Sequence, residues 1–332
     1  MSMRELPRMF DTVAAKFEEG PYFPKDASRN AWETRKHERF DAKQGSRVES
    51  VVHILQLDQV RIAIMGDGGI LRFESSLPKL IHGNNLKSVV TPSVALPLLH
   101  ECINDHVDGE LPDFGHAEYL RVDFCHNFSV GSSLPDYVST LARVSFLKHH
   151  RLTDGYGGVE FWNDSRRVRI YDKYKEILEV DKKDVPEAHG ILRFEVQLRK
   201  KSQYLQHRLR EKRLFLHDVL QPELAYACLA ETLNKMCLDL VFLPQDAARD
   251  VLDKTFGYRR ATRLLGISRR LESEGMDRLR RISARSTYYA DKRDLRSLGL
   301  WPPSASALEL PGLVMPPLED LLAQQSSLAR SA

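Results

Sequence analysis

Residues 166–176 read RRVRIYDKYKE, and their alternation decides the fold. Successive strand side chains point to opposite faces, so Val168, Ile170 and Asp172 share one face while Arg167, Arg169, Tyr171 and Lys173 share the other. A strand with one apolar and one charged face predicts an antiparallel sheet packed on one side only. Just upstream, VEFW (residues 159–162) reads as a second strand, joined to the first by the polar turn NDSR. Two further segments share the format. In LRVDFC, Leu120, Val122 and Phe124 alternate with Arg121, Asp123 and Cys125. In LRFEVQL, Leu192, Phe194, Val196 and Leu198 alternate with Arg193, Glu195 and Gln197, and Arg199 follows. If the three strands are neighbours, one sheet face presents Asp123, Glu195, Tyr171 and several cations together.

Working outward, VVHILQL, VRIAIM and GILRFES begin a run of strands at Val51, with GDGG (residues 66–69) as a turn. Apolar spacing predicts helices over residues 93–107 and about 134–148, and KYKEILEV continues as a helix. Residues 1–48 mix charge with GPYFPKD and read as an irregular entry segment with helical character. After about residue 200 the pattern turns helical: residues 222–240 are amphipathic, and Lys254–Arg296 holds thirteen Lys or Arg against five Asp or Glu. Gly257, Gly266, Gly275 and Gly299 punctuate that basic stretch into short helices. The expected class is therefore α+β: an N-terminal segment (1–50), an antiparallel-sheet domain (51–220), a basic helical domain (221–299), and a Pro-rich linker with a terminal helix (300–332).

The chain has 332 residues, 42% hydrophobic and 29% charged, the composition of an ordinary globular protein. Its net charge is only +3, so the basic stretch is hidden in the total. Cys102, Cys125, Cys228 and Cys237 show no zinc-ligand spacing, and no secretory leader is evident, which predicts free thiols in a reducing cytoplasm. The longest apolar candidate, VVTPSVALPLL, is broken by Pro92 and Pro97 and falls short of the ~20 residues a spanning helix needs, so no membrane is expected.

The polar face has a chemical meaning. Two carboxylates, Asp123 and Glu195, can hold a hard ion such as Mg²⁺ or Mn²⁺, which polarises a phosphoryl oxygen. The Tyr171 hydroxyl can attack phosphorus and keep the bond energy in a phosphotyrosine. Lys173 can lower the tyrosine pKa or neutralise developing charge. The ordinary readings stand beside these: Asp123 and Glu195 as solvent-facing charges of a half-exposed sheet, and Tyr171 as a surface tyrosine. Tyr174 and Tyr204 compete as nucleophiles. His126 falls on the face opposite Asp123, the pair His149 and His150 reads as a solvated helix end, and GYGG (residues 155–158) as a hinge rather than a phosphate loop. Among the basic residues, Arg167, Arg169, Arg193, Arg199, Lys200 and Lys201, with Arg259, Arg260, Arg263, Arg269 and Arg270, suit phosphate contacts or plain solvated faces.

Together the segments ESSLPKLIHGNN (74–85), LRVDFCHNF, VEFWNDSRRVRIYDKYKE, ILRFEVQLRKKSQYL and FGYRRATRLLGISRRLESEGMDRLRR resemble the gene II replication initiators of filamentous phages and related plasmid and satellite-phage initiators. The likeness spans roughly residues 55–295, in the family's order. It implies a rolling-circle initiator that nicks one strand of a double-stranded origin, stays attached through tyrosine, and later closes the displaced single-stranded circle. By the same resemblance Tyr171 is the nucleophile with Lys173 beside it, and Asp123 and Glu195 are its acidic residues. The chain has no His-hydrophobic-His motif, so metal ligation would rest on the carboxylates, with a histidine contribution from His126 or His150 left open. Expected partners are origin DNA and the host helicase and polymerase, in the bacterial cytoplasm. Two other readings remain: a non-catalytic origin-binding regulator, and a mobilisation relaxase.

Overall fold

The computed structural model of the protein describes residues 9–18, 20–25, 32–41, 46–65, 68–86, 89, 91–142, 146, 149–153, 157–239, 243, 245–274, 276–301 and 309–329. In chain order its elements begin with β1 (Phe10–Phe17), β2 (Phe23–Pro24), β3 (Glu33–Asp41), β4 (Ser46–Gln56), β5 (Val60–Met65), β6 (Ile70–Ser76), α1 (Leu77–His82) and α2 (Ala95–Asn104). They continue with β7 (Val107–Asp108), β8 (Glu118–Ser129), α3 (Leu134–Leu141), β9 (His149–Thr153), β10 (Gly158–Trp162), β11 (Arg166–Asp172), α4 (Lys173–Val180) and β12 (Ile191–Arg199). The rest is helical: α5 (Gln203–Leu209), α6 (Leu216–Val219), α7 (Pro222–Met236), α8 (Gln245–Phe256), α9 (Tyr258–Glu274), α10 (Met276–Ile282), α11 (Arg285–Ser297) and α12 (Leu318–Ala329). Antiparallel strand pairs beside these helices agree with the α+β class expected from sequence.

Two compact units divide the chain. One comprises the described residues of 9–125, 197–226 and 317–329, the other those of 126–196 and 227–316. In the first unit the strand order is β3-β4-β5-β6-β1-β8, with every neighbouring pair antiparallel. Alternation sets the inner face: Val60, Ile62 and Ile64 of β5, with Leu71 and Phe73 of β6, are buried, while Arg61 and Arg72 point outward. An aromatic cluster fills the core, with ring centroids of Phe17, Phe73 and Phe114 at 5.9, 5.3 and 4.8 Å from one another, in tilted or edge-on geometry.

The second unit orders its strands β12-β11-β10-β9. The β10–β11 hairpin closes as expected, because Asn163 Oδ1 accepts from the backbone N–H groups of Ser165 (3.0 Å) and Arg166 (2.8 Å), an Asx turn. In the same unit α8 to α11 have a core of their own, formed by Leu252, Ala261, Leu264, Leu271, Tyr288, Leu295 and Trp301.

Several sequence expectations are corrected. Among its described residues the N-terminal segment is extended and not helical: β1, β2, β3 and the start of β4 lie there. β1 carries no alternation because both its faces are covered, its burial being almost continuous. His149 and His150 open strand β9 instead of ending a helix. Gly266 sits inside α9, whereas Gly257, with φ 71°, does separate α8 from α9. The segment after Trp301 is more than a linker, since Leu310, Leu313 and Met315 are buried. Residues 154–156, in the expected hinge, lie outside the described residues, as does Gly275.

Gly190, just before β12, has φ 70°, and its carbonyl accepts from Val130 N (2.9 Å) and Gly131 N (3.0 Å). A Cβ there would stand 2.7 Å from Gly131 Cα, against backbone that cannot yield as a side chain does. Gly190→Ala is therefore expected to destabilise the chain by about 1–3 kcal/mol, to be measured by urea unfolding; an unchanged midpoint would contradict this close approach.

Candidate functional site

The polar face of β11 becomes steadily more buried along the strand. Arg167 and Arg169 are partly exposed, but Tyr171 is only 1% exposed. Its cross-strand partner on β10 is Gly158, which has no side chain to compete for the space. On β12 all residues from Ile191 to Leu198 are buried, so this strand has no solvent face at all. The expectation of a half-exposed charged sheet face fails here. A polar side chain on such a strand must be matched inside the protein.

Glu195 is the centre of that matching. Tyr171 Oη donates to Glu195 Oε2 at 3.1 Å, and Arg169 Nη1 donates to Oε1 at 3.3 Å. Arg193 Nε lies 3.9 Å from Oε2, its side chain completely buried. The Arg169 guanidinium also sits over the Tyr171 ring at 4.8 Å, a cation–π distance. Burial pushes the Tyr171 phenol well above its ordinary pKa, and the negative charge of Glu195 adds to the rise against the opposing pull of Arg193 and Arg169. The phenol is therefore neutral and a hydrogen-bond donor in this arrangement.

Lys173 departs from the strand reading. It is the first residue of α4, whose N-cap Asp172 accepts from Lys175 N at 3.2 Å. The completely buried Lys173 ammonium pairs with Glu176 and stands 5.9 Å from the Tyr171 ring centroid. Glu176 escaped the sequence analysis, although KYKE read as a first helical turn spaces Lys173 and Glu176 three apart on one face.

Asp123 belongs to the first unit. Arg121 grips it with a fork, Nε donating to Oδ1 at 2.9 Å and Nη2 to Oδ2, while Arg121 Nη1 donates to Glu74 Oε1 at 2.8 Å. Gln197 Nε2 reaches Asp123 Oδ2 at 3.4 Å, and Arg199 Nε reaches Gln197 Oε1 at 3.3 Å. Between Glu74 and Arg121 runs β1, where Ala14 is the register partner of both. Its small side chain lets the guanidinium cross the intervening strand.

These donor sets do not fit a Mg²⁺ or Mn²⁺ site. Each carboxylate is already answered by a guanidinium, and among the described residues no group of three or more His, Cys, Asp or Glu side chains is placed to hold a metal. His126 is fully buried, its ring edge-on to Phe128 at 4.7 Å. Of the competing tyrosines, Tyr174 stacks on His189 at 3.6 Å, and Tyr204 lies beneath the Arg208 guanidinium at 5.9 Å.

Arg167 makes a two-pronged bond to Glu160, Arg260 pairs with Asp291 and Asp294, Arg263 with Asp291, and Lys200 with Glu118. Arg193 is sealed inside and cannot reach a backbone phosphate as it stands. Arg199, Lys201, Arg259, Arg269 and Arg270 are exposed. No known protein family matches the chain, and no curated protein is significantly similar to it.

Removing one member of a buried ion pair leaves the other charge unmatched. Glu195→Ala is expected to cost about 3–5 kcal/mol, whereas Tyr171→Phe, which deletes one hydrogen bond, should cost only about 1 kcal/mol. Urea unfolding of both variants checks this ordering, and equal losses would remove Glu195 from the centre of the network.

Proposed function

We propose that the chain is a rolling-circle DNA replication initiator, a site-specific endonuclease and strand transferase that nicks an origin through Tyr171. The observation that supports this reading is the 3.1 Å hydrogen bond from the Tyr171 phenol to Glu195, flanked by Arg169 and Arg193. In the proposed step Tyr171 Oη attacks phosphorus in line, forming an O–P bond as the bond to the 3′ oxygen breaks. The phenolic proton passes to Glu195, and the departing 3′ oxygen takes a proton from water. Arg169 and Arg193 would stabilise charge growing on the phosphoryl oxygens, with Lys173 adding to the positive field. Rejoining is the reverse, with the 3′ hydroxyl attacking the phosphotyrosine and the phenol recovering its proton. No step passes through a metal, because the carboxylates are matched by arginines.

The reaction requires the phenol to become exposed, since it rests 1% accessible. That same burial favours a second reading, an origin-binding regulator in which the network is structural. In either case the partner is origin DNA, and for the initiator the host helicase and polymerase follow, in the cytoplasm of a bacterial cell. No helix among the described residues is long and apolar enough to cross a membrane.

Supercoiled DNA carrying the cognate origin, incubated with the protein with and without Mg²⁺ or Mn²⁺, should yield open circles and a covalent peptide–DNA adduct at Tyr171. Tyr171→Phe should lower nicking on the order of 10⁴-fold or more. An adduct at Tyr174 or Tyr204 would displace Tyr171, and binding without nicking by the wild type would select the regulator.

A further inference from the structure

We infer that the outward face of α9 enters the major groove of duplex DNA, with Gly266 at the point of closest approach. Helix α9 buries Ala261, Leu264 and Leu271 against the neighbouring helices. At about 100° per residue, its exposed residues Tyr258, Arg259, Thr262, Arg263, Gly266, Arg269 and Arg270 all fall within an arc of about 140°. From Tyr258 to Leu271 the helix has no Asp or Glu, its acids Glu272 and Glu274 coming only afterwards. The face therefore carries Arg259, Arg263, Arg269 and Arg270, Arg263 being paired with Asp291 of α11, and its net positive charge is complementary to a phosphate backbone. Arg259 and Arg270 are about 16 Å apart along the axis at about 1.5 Å per residue, enough to reach across a groove about 12 Å wide.

Gly266 gives the second, independent argument. Glycine inside a helix is unfavourable relative to alanine, and internal packing does not require it, since a Cβ there would meet nothing within 4 Å. Its φ is ordinary for a helix, so backbone strain does not require it either. What a missing side chain at the middle of an exposed basic face does provide is room for another surface to approach the backbone. The connection to the preceding helix points the same way: α8 ends at Phe256, Gly257 turns the chain, and α9 starts at Tyr258, 68% exposed. A tightly joined helix pair whose second helix is solvent-facing and basic is the arrangement in which that helix reads a groove. Duplex RNA is disfavoured because its major groove is too deep and narrow for side chains to read. Single strands prefer aromatic platforms, and this face carries one tyrosine.

The inference concerns binding and stands apart from the chemistry assigned to Tyr171. Its test is fluorescence anisotropy of the full chain with labelled duplex and single-stranded DNA over a range of salt. The triple variant Arg259→Ala, Arg269→Ala, Arg270→Ala should lose at least about tenfold in duplex affinity, and its log–log salt slope should shrink by about 0.9 for each phosphate contact removed. Gly266→Ala should raise Tm and yet weaken duplex binding about tenfold, a combination that damage to the fold does not produce. Arg293→Ala, which removes one positive charge at an exposed position of α11, should leave binding within about twofold. Unchanged duplex affinity in the triple variant, unchanged affinity in Gly266→Ala, or a loss confined to single strands would overturn the inference. Because binding is also measured with Tyr171→Phe, failure of nicking and failure of α9 are read separately.

Discussion

A carboxylate with no route to water organises the second unit. Glu195 is carried by a strand covered on both faces, so its charge must be met by what the neighbouring residues bring: the Arg169 and Arg193 guanidinia and the Tyr171 hydroxyl. Such an assembly adds little net stability over a well-packed apolar core, because desolvation offsets most of the Coulombic gain. Its effect lies in what it forbids. A register slip of one residue would turn every polar side chain of β12 to the wrong face, leaving charges buried without partners. The network thus contributes to the uniqueness of the pairing and fixes the Tyr171 phenol against Glu195.

The first unit meets the same difficulty with a different device. Arg121 and Asp123 on β8, Gln197 and Arg199 on β12, and Glu74 on β6 form a ladder of charge-assisted bonds. Because β1 separates β6 from β8, a large residue in its path would cut the ladder. Ala14 keeps the path open. Asp123 is therefore a member of an arginine-centred lattice, which explains why a carboxylate that reads from sequence as a metal ligand has no coordination sphere open to an ion.

How much of this was legible in the sequence depended on whether the signal was local. The β10–β11 hairpin is readable because Asn163 supplies its turn within three residues, and the juxtaposition of Tyr171 with Glu195 follows from β11 and β12 being neighbours. Strand β1 was missed for a physical reason: FDTVAAKF is buried on both faces and loses the period of two that marks a half-exposed strand. Lys173 departs from the strand pattern because alternation ends at the Asp172 cap, where α4 begins. Burial of the polar face could not be foreseen, since alternation separates two faces without saying what covers either. The role of Ala14 was equally invisible, because it depends on strand order.

In the proposed initiator the resting network also acts as a restraint on the chemistry. Exposing the phenol means breaking its bond to Glu195 and hydrating side chains that are now dry, and nothing within the network supplies that free energy. A ligand shifts such an equilibrium only by its differential affinity for the open state, and inverting a strongly biased one, from 1:99 to 99:1, takes about 5.5 kcal/mol. Phosphate contacts along a basic surface are of that magnitude, and they are sequence-independent unless base edges are read as well. A backbone-only encounter would therefore hold DNA in either state, while the origin would have to bring additional contacts made only when Tyr171 is exposed. On this argument the selectivity of nicking resides in the coupling between binding and opening, because a permanently exposed tyrosine beside the same arginines would cut wherever duplex DNA is held.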